Sequence, residues 1–350
     1  MSHQEIKIGT KTIGQGHKTY IIAEVAQAHE GSLGLAYSYI DAVAETGVDA
    51  IKFQTHIANA ESTHDEPFRI KFSKQDSSRF EYWRRMEFSA EQWAGLAQYA
   101  RDKGLVFLSS AFSVEAVNLL SSVGMPAWKV GSGETLSTQL LDVMQASGKP
   151  ILLSTGMSTW AEIDQRVADF KAKDIDFGIL QCTSKYPTKL EEVGLNVLNE
   201  LSQRYACPVG LSDHSGTPFP ALAAMAQNCH ILELHVTFDK RMFGPDVPAS
   251  LTFEDLKLIV QARNAFKILR TNPVNKDAMA ADLNEMRKMF SKSLALAEPL
   301  LKGTTLKKEH LTSKKPGSGI DPKQISKLIG RSLVHDTPSD RLIRWEDLSD

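Results

Sequence analysis

Three cysteines in a chain of 350 residues, Cys182, Cys207 and Cys229, are an odd number without metal-type spacing. They fit a reducing compartment better than a disulfide framework. No stretch approaches the roughly 18 uninterrupted apolar residues of a membrane-spanning helix. The opening segment "MSHQEIKIGTKTIGQGHKTY" lacks the apolar core of a secretory signal. Nor is there an excess of charge of either sign. A formal net charge of −2 gives no global attraction to nucleic acid or membrane, so a bound anion must be held by a local site. These absences lead to the expectation of a cytoplasmic protein. What remains is 42% apolar and 23% charged, enough for one large domain and a small one.

Eight short apolar runs recur: "YIIAEV" from 20, "AIKFQT" from 50, "VFLSSA" from 106, "AWKVGS" from 127, "PILLST" from 150, "FGILQC" from 177, "PVGLSD" from 208 and "ILELHV" from 231. Their length and β-branched content predict strands. Between them lie helically spaced segments such as "LAYSYIDAVAETG" (35–47), "AEQWAGLAQYARDKG" (90–104) and "WAEIDQRVADFKAK" (160–173), several stopped by glycine. Eight alternations in roughly 250 residues predict an α/β fold closed as a (β/α)8 barrel; an open doubly wound sheet is the competitor. One interval, 56–88, is long, polar and aromatic. It follows the second strand and reads as an active-site loop or cap. The expected division is a barrel over 1–270, a polar linker over 271–290 and a module over 291–350 with short strands, turns and little helix. A module of about 60 residues is small for a stable core and is expected to lean on the barrel or on a partner chain.

"PVGLSDHSG" (208–216) poses the functional question, since a strand-like run ends in Ser212, Asp213 and His214. In a barrel the C-terminal strand ends open onto the catalytic face, where polar groups meet substrate. The same pattern places Glu24, Lys52, Gln54, Ser109, Ser110, Lys129, Ser132, Glu134, Ser154, Thr155, Thr183 and His235 at that face. His214 and His235 are one βα unit apart, at equivalent heights on strands roughly 4.8 Å apart, so both imidazoles can share one metal ion. Imidazole suits Mn, Fe, Co or Zn better than Mg or Ca. Lys52 and Lys129, with Ser132, Ser154, Ser212 and the backbone of "GSGE" and "STGMS", can hold a phosphate; a Schiff-base lysine is the rival reading. Glu24 and Glu134 can exchange protons with substrate or pair with the two lysines, and spacing leaves both readings open.

Together, "IIAEVAQAHEGSLGLA", "DAIKFQTH", "AWKVGSGE", "KPILLSTGMST", "LQCTSKYPT", "VGLSDHSG", "ELHVTFDKRMFGPDVPASL" and "KKPGSGI" resemble the sialic acid synthases and their relatives making legionaminic and pseudaminic acids. The resemblance covers nearly the whole chain, and its tail is similar to the antifreeze-like (SAF) domain. It implies a homodimer in which that domain reaches over the partner's barrel. The implied activity is a transferase reaction, condensing phosphoenolpyruvate with an open-chain N-acetylmannosamine-type sugar to give a nonulosonic acid and phosphate. By the same resemblance, His214 and His235 bind a divalent metal, typically manganese, with Mg2+ or Co2+ as alternatives. Lys52, Ser110, Lys129, Ser132, Ser154 and Ser212 match phosphoenolpyruvate-binding positions, Ser110 standing where threonine is common. Glu24, Gln54 and Glu134 match positions around the reacting carbons, and Tyr186, Asp246, Phe290 and Lys315 match sugar-contacting ones.

The chain departs from the pattern at Ala28, usually asparagine, at Val247 and Gln181, often histidine, and at Lys315, usually arginine. Lysine keeps the charge but loses the planar fork, which puts the acceptor sugar in question rather than the reaction. Two other readings remain: an aldolase acting on free pyruvate through Lys52 or Lys129, and a non-catalytic carbohydrate-binding barrel.

Overall fold

The computed structural model describes residues 5–349. It divides into two compact units, Met1–Thr271 and Asn272–Asp350. In the first, eight parallel strands close into a barrel in sequence order: Tyr20–Ala26, Ala50–Thr55, Val106–Ala111, Trp128–Val130, Ile151–Ser154, Phe177–Cys182, Val209–Asp213 and Ile231–His235. Each corresponds to one of the eight apolar runs. These strands are covered on both sides, and nearly every residue in them is buried. That is why they read as continuous apolar runs instead of alternating ones. The last strand pairs back onto the first through Ile231–His235 against Tyr20–Glu24, which closes the ring.

Local chemistry sets the helix ends. The helix Ala90–Asp102 begins in a capping box of Ser89 and Gln92, and Trp160–Ala172 in one of Thr159 and Glu162. In each box two otherwise orphaned N–H groups find partners. Gly124, in the left-handed region at φ 83°, ends the helix Val114–Val123. The helices lay Tyr39, Leu96, Leu120, Leu141, Phe170 and Leu201 against the barrel, all buried in one continuous core. Burying each such side chain contributes about 1.5–3 kcal/mol.

Two elements differ from the sequence reading. Before the barrel stands an antiparallel hairpin, Glu5–Ile8 with Lys11–Gly14, whose Ile6, Ile8 and Ile13 join the barrel core. The polar stretch expected to link the units carries two short helices, Lys276–Asp282 and Asn284–Phe290, with no buried residue in either.

The long interval after the second strand is ordered by its own apolar cluster. It folds into the helices Ala58–Glu61 and Arg79–Met86, with Ala58, Phe80, Tyr82, Trp83 and Met86 buried together and Phe68 and Phe72 packed on them. Arg85 fastens this cap to the barrel, reaching Asp76 at 2.8 Å and Glu30 at 3.0 Å.

The second unit pairs Ser293–Leu296 with Leu311–Lys314 in antiparallel fashion. It encloses a cluster of its own, including Leu294, Leu296, Leu306, Leu328 and Ile343.

Gly210 pairs with Ile231 in the closing ladder, and a Cβ at this position would lie 2.4 Å from the Ile231 carbonyl oxygen. Backbone cannot yield as a flexible side chain does. Gly210→Ala is therefore expected to destabilise the chain by about 1–3 kcal/mol. Urea denaturation measures this, and an unchanged midpoint would contradict the close-approach argument.

Candidate active site

Strand register sets the site. Glu24 faces His235 on one side and Lys52 on the other; Gln54 faces Ser110, and Ser110 faces Lys129. The inward ends of these strands line a cavity of about 270 Å³. Among the residues named from the sequence, Glu24, Lys52, Gln54, Ser110, Lys129, Ser132, Ser154, Tyr186, Ser212, His214, His235 and Asp246 all line it. Glu134 does not. It ends the 3-10 turn Ser132–Glu134, half-buried, while the preceding Ser132 and Gly133 reach the cavity. Phe290 and Lys315 belong to the second unit, where the Lys315 ammonium lies 5.1 Å from the Phe290 ring centroid.

At the cavity floor both lysines are buried, and carboxylates meet them. Lys52 Nζ is 2.6 Å from Glu24 Oε2 and 3.8 Å from Glu233 Oε2. Lys129 Nζ is 3.3 Å from Glu233 Oε1. Hydroxyls complete the shell: Lys52 donates to Ser110 Oγ at 3.1 Å, Lys129 to Ser154 Oγ at 2.8 Å, and Ser212 to Glu233 Oε1 at 3.0 Å. Gln54 Nε2 donates to Glu24 Oε1 at 3.1 Å. The Ser132 hydroxyl accepts from the backbone N–H of Gly156 at 3.0 Å. A Cβ on Gly156 would come within 3.0 Å of Ser184, Ser132 and Cys182 atoms, so only glycine lets this loop approach the serines.

Glu233 was not singled out from the sequence. It lies two residues before His235 on the same inward face, and that parity was the available signal. Its position between two ammonium groups decides which of the two carboxylates keeps its charge. Burial raises any carboxyl, but at Glu233 Lys129 and Lys52 outweigh burial and hold it below its ordinary range. At Glu24 burial prevails over Lys52, and the neighbouring Glu233 charge adds to it, pushing the carboxyl up to about 7. Lys52 is driven the other way from burial by Glu233 and Glu24, and stays above its usual value.

The histidine pair stands beside this cluster. The ring centroids of His214 and His235 are 5.1 Å apart, and Tyr186 lies against both, at 4.1 and 5.8 Å. His214 Nδ1 is 3.0 Å from the Thr183 carbonyl oxygen. A carbonyl only accepts, so Nδ1 carries a proton and Nε2 is the nitrogen turned to a ligand. Burial, reinforced by His214, holds His235 well below the ordinary imidazole range, in its neutral form. The two imidazoles, one oriented by a backbone carbonyl, form a donor set that fits a divalent transition metal with open positions for substrate. Among the described residues no group of three His, Cys, Asp or Glu side chains is arranged to hold a metal.

The cap supplies the outer wall, as its place after the second strand led us to expect. Phe68, Arg69, Ile70, Phe72, Arg79, Tyr82 and Trp83 line the cavity. Behind Glu24 runs a network absent from the sequence reading. Gln27 donates to Gln54 at 2.5 Å and meets His56 at 2.6 Å, and His56 pairs with Glu61 at 2.5 Å. His56 is stacked between Trp83 of the cap and Phe112 of the barrel, with centroids 3.8 and 4.5 Å away.

The sign of the Glu24 shift gives a pH test. A carboxyl whose folded pKa lies above its unfolded value of 4.5 favours folding most below 4.5 and loses that contribution as pH rises to about 7. Glu24→Gln is expected to remove a decline on the order of 3 kcal/mol over this window. Urea denaturation of metal-free protein across the range measures it. An identical pH dependence in the variant would contradict the assignment.

Known proteins resemble this chain along nearly its whole length. Residues 39–274 match the NeuB family model, and residues 291–349 match the SAF domain. The chain is similar to N,N'-diacetyllegionaminic acid synthase of Campylobacter jejuni, 31% identical with 93% of this chain and 99% of that protein covered. It is likewise similar to the human N-acetylneuraminate-9-phosphate synthase, 31% identical with 95% and 94% covered. A crystal structure of N-acetylneuraminic acid synthetase from Leptospira borgpetersenii, in complex with citrate, superposes with a TM-score of 0.71 at 28% identity, covering 81% of this chain and 96% of that one. With a barrel followed by a SAF domain matched along nearly its whole length, the chain belongs to the NeuB family.

Proposed function

We propose that the chain condenses phosphoenolpyruvate with an acylated amino sugar of the N-acetylmannosamine type, giving a nonulosonic acid and phosphate. The observation that carries this reading is the convergence in one cavity of Lys52, Lys129 and their serine hydroxyls with the His214–His235 pair. An anion and a carbonyl can be held side by side there.

His214 and His235 would hold the divalent cation, manganese in the family resemblance, which when bound supplies Lewis-acid polarisation of an aldehyde oxygen. The chain's own groups do the rest. Lys52 and Lys129, with Ser110, Ser132 and Ser154, bind the phosphate and carboxylate oxygens and orient the enol double bond. Its C3 attacks the aldehyde carbon, and positive charge develops at C2. Glu233, kept ionised between the lysines, is the carboxylate placed to stabilise that charge. Glu24, raised by burial and oriented by Gln54, can give up the proton that the new hydroxyl takes. Water adds at C2, returning a proton to the Glu24 carboxylate. The bond from C2 to the phosphate oxygen then breaks, the C2 hydroxyl proton leaves with the phosphate, and a ketone remains.

The electrostatics disfavour a Schiff base at Lys52. A lysine nucleophile requires a depressed pKa, whereas Lys52 is held above its ordinary value by two carboxylates. Borohydride is accordingly expected to trap no pyruvate adduct on it. A purely carbohydrate-binding barrel has no use for two ammonium groups buried with serine donors. No helix of the described residues is long and apolar enough to cross a membrane.

Phosphate release is expected to require both phosphoenolpyruvate and an acylated hexosamine, and to stop on chelation. His214→Ala is expected to abolish it. Lys129→Met is expected to raise the KM for phosphoenolpyruvate roughly 10- to 100-fold, as loss of a charge-assisted hydrogen bond does. Full activity of His214→Ala after chelation would contradict the proposal.

A further inference from the structure

The carboxyl of Glu24 is held at both oxygens: Oε1 accepts from Gln54 Nε2 at 3.1 Å, and Oε2 lies 2.6 Å from Lys52 Nζ. An ammonium holds its partner as a point charge, so the plane of the carboxyl depends on the amide. A glutamine amide can be turned end for end with little change of shape, which would present Gln54 Oε1 to Glu24 in place of the N–H. What fixes Gln54 lies behind it. The contacts there run away from the cavity to His56 and Glu61, neither of which lines it.

The donors and acceptors of this path have one consistent direction. Glu61 Oε1 meets His56 Nδ1 at 2.5 Å, and Glu61 Oε2 accepts from the backbone N–H of Ile57 at 3.3 Å. A carboxylate only accepts, so Nδ1 carries a proton. His56 Nε2 faces Gln27 Nε2 at 2.6 Å, nearer than Gln54 Oε1 at 3.4 Å. An amide nitrogen only donates, so Nε2 is the acceptor. The second hydrogen of the Gln27 amide goes to Gln54 Oε1 at 2.5 Å, which leaves the Gln54 N–H for Glu24. Reversing one link would bring two donors or two acceptors face to face.

We infer that His56 and Glu61 are positioning residues that hold the Glu24 carboxyl in its plane through the amides of Gln27 and Gln54. The inference rests on the synthase reading above and adds to it a dependence on the cap. Glu61 ends the helix Ala58–Glu61, and His56 is stacked nearly parallel to Trp83 and Phe112, at interplanar angles of 13° and 6°. The path is complete only while the cap is seated, so the acid is oriented when the cavity is covered.

Fastening the cap does not require this pair. The cap has its own apolar cluster, Arg85 on Asp76 and Glu30, and Glu87 Oε1 accepting from the Ala58 N–H at 2.8 Å. Packing between two aromatic rings asks only for a flat ring, which phenylalanine supplies. Both side chains of the pair are buried, where polar groups are costly without partners, and the nitrogens of His56 are spent on Glu61 and Gln27.

The test is a double-substitution cycle on phosphate release by the full chain, with manganese and saturating N-acetylmannosamine and phosphoenolpyruvate. His56→Phe keeps the stacked ring and removes both nitrogens. It is expected to lower kcat roughly 30-fold while the KM for phosphoenolpyruvate stays within about twofold, since the lysines are untouched. Glu61→Leu is expected to match it. Glu61→Gln, whose carbonyl still accepts from Nδ1, is expected to lose only about threefold. Gln27→Leu cuts the same path, so adding His56→Phe to it is expected to cost no more than about threefold beyond the single change. Losses that multiply instead, or full kcat in both His56→Phe and Glu61→Leu, overturn the inference. Nitrogen-15 NMR of histidine-labelled protein reads the path without turnover. The His56 resonances, identified by their absence from the His56→Phe spectrum, are expected to show the Nδ1–H tautomer, and Glu61→Leu to lose it. An Nε2–H or doubly protonated ring overturns the inference by itself. No phosphate release from the unsubstituted chain, with the Nδ1–H tautomer present, overturns the synthase reading alone.

Discussion

Two ammonium groups buried at the mouth of a barrel would each cost several kcal/mol if left alone. Here Glu233 lies between them and Glu24 flanks one, so the four groups share a single cluster. The arrangement depends on the barrel closing with the right register. The last strand must bring Glu233 beside Ser212 while the first brings Glu24 level with Lys52. One residue of slip would turn each of these side chains into the surrounding apolar layer. The close approach at Gly210 and the burial of every strand guard that register.

The cluster also explains why the site is asymmetric. Like charges so near one another separate in proton affinity, and the carboxylate flanked by both lysines keeps its charge. The other becomes the one able to carry a proton. A fixed negative charge, a protonated carboxyl and two cations thus coexist within a few ångströms. In the proposed reaction an anionic enol donor would meet the cations, and the acceptor's carbonyl would fall to the imidazoles and the Tyr186 face that rests on His214. The cap adds the outer boundary, held on one side by stacking of His56 with Trp83 and on the other by Arg85.

Much of this was legible in the sequence because barrel strands announce themselves. Parallel strands buried on both faces are unbroken apolar runs, and the polar residues at their ends gather on one rim. The spacing of one βα unit between His214 and His235 put both at equivalent heights on neighbouring strands. Other features were hidden for physical reasons. Glu233 acquires its role from lysines on two distant strands, a pairing no local pattern encodes. The cap has no single periodicity, so Arg69 and His56 could be placed in an active-site loop but not assigned contacts. Glu134 shares its motif with residues of the cavity, yet at the end of the 3-10 turn it is not among the lining residues. The hairpin Glu5–Ile8 and Lys11–Gly14 is too short to stand out and owes its stability to isoleucines packed on the barrel.

A structure of the chain soaked with manganese and phosphoenolpyruvate addresses the central claim most directly. The account predicts one cation coordinated by both His214 and His235, with the phosphate and carboxylate of the donor on Lys52 and Lys129 in the same cavity. A donor bound away from either lysine, or a cation that engages neither imidazole, would contradict it.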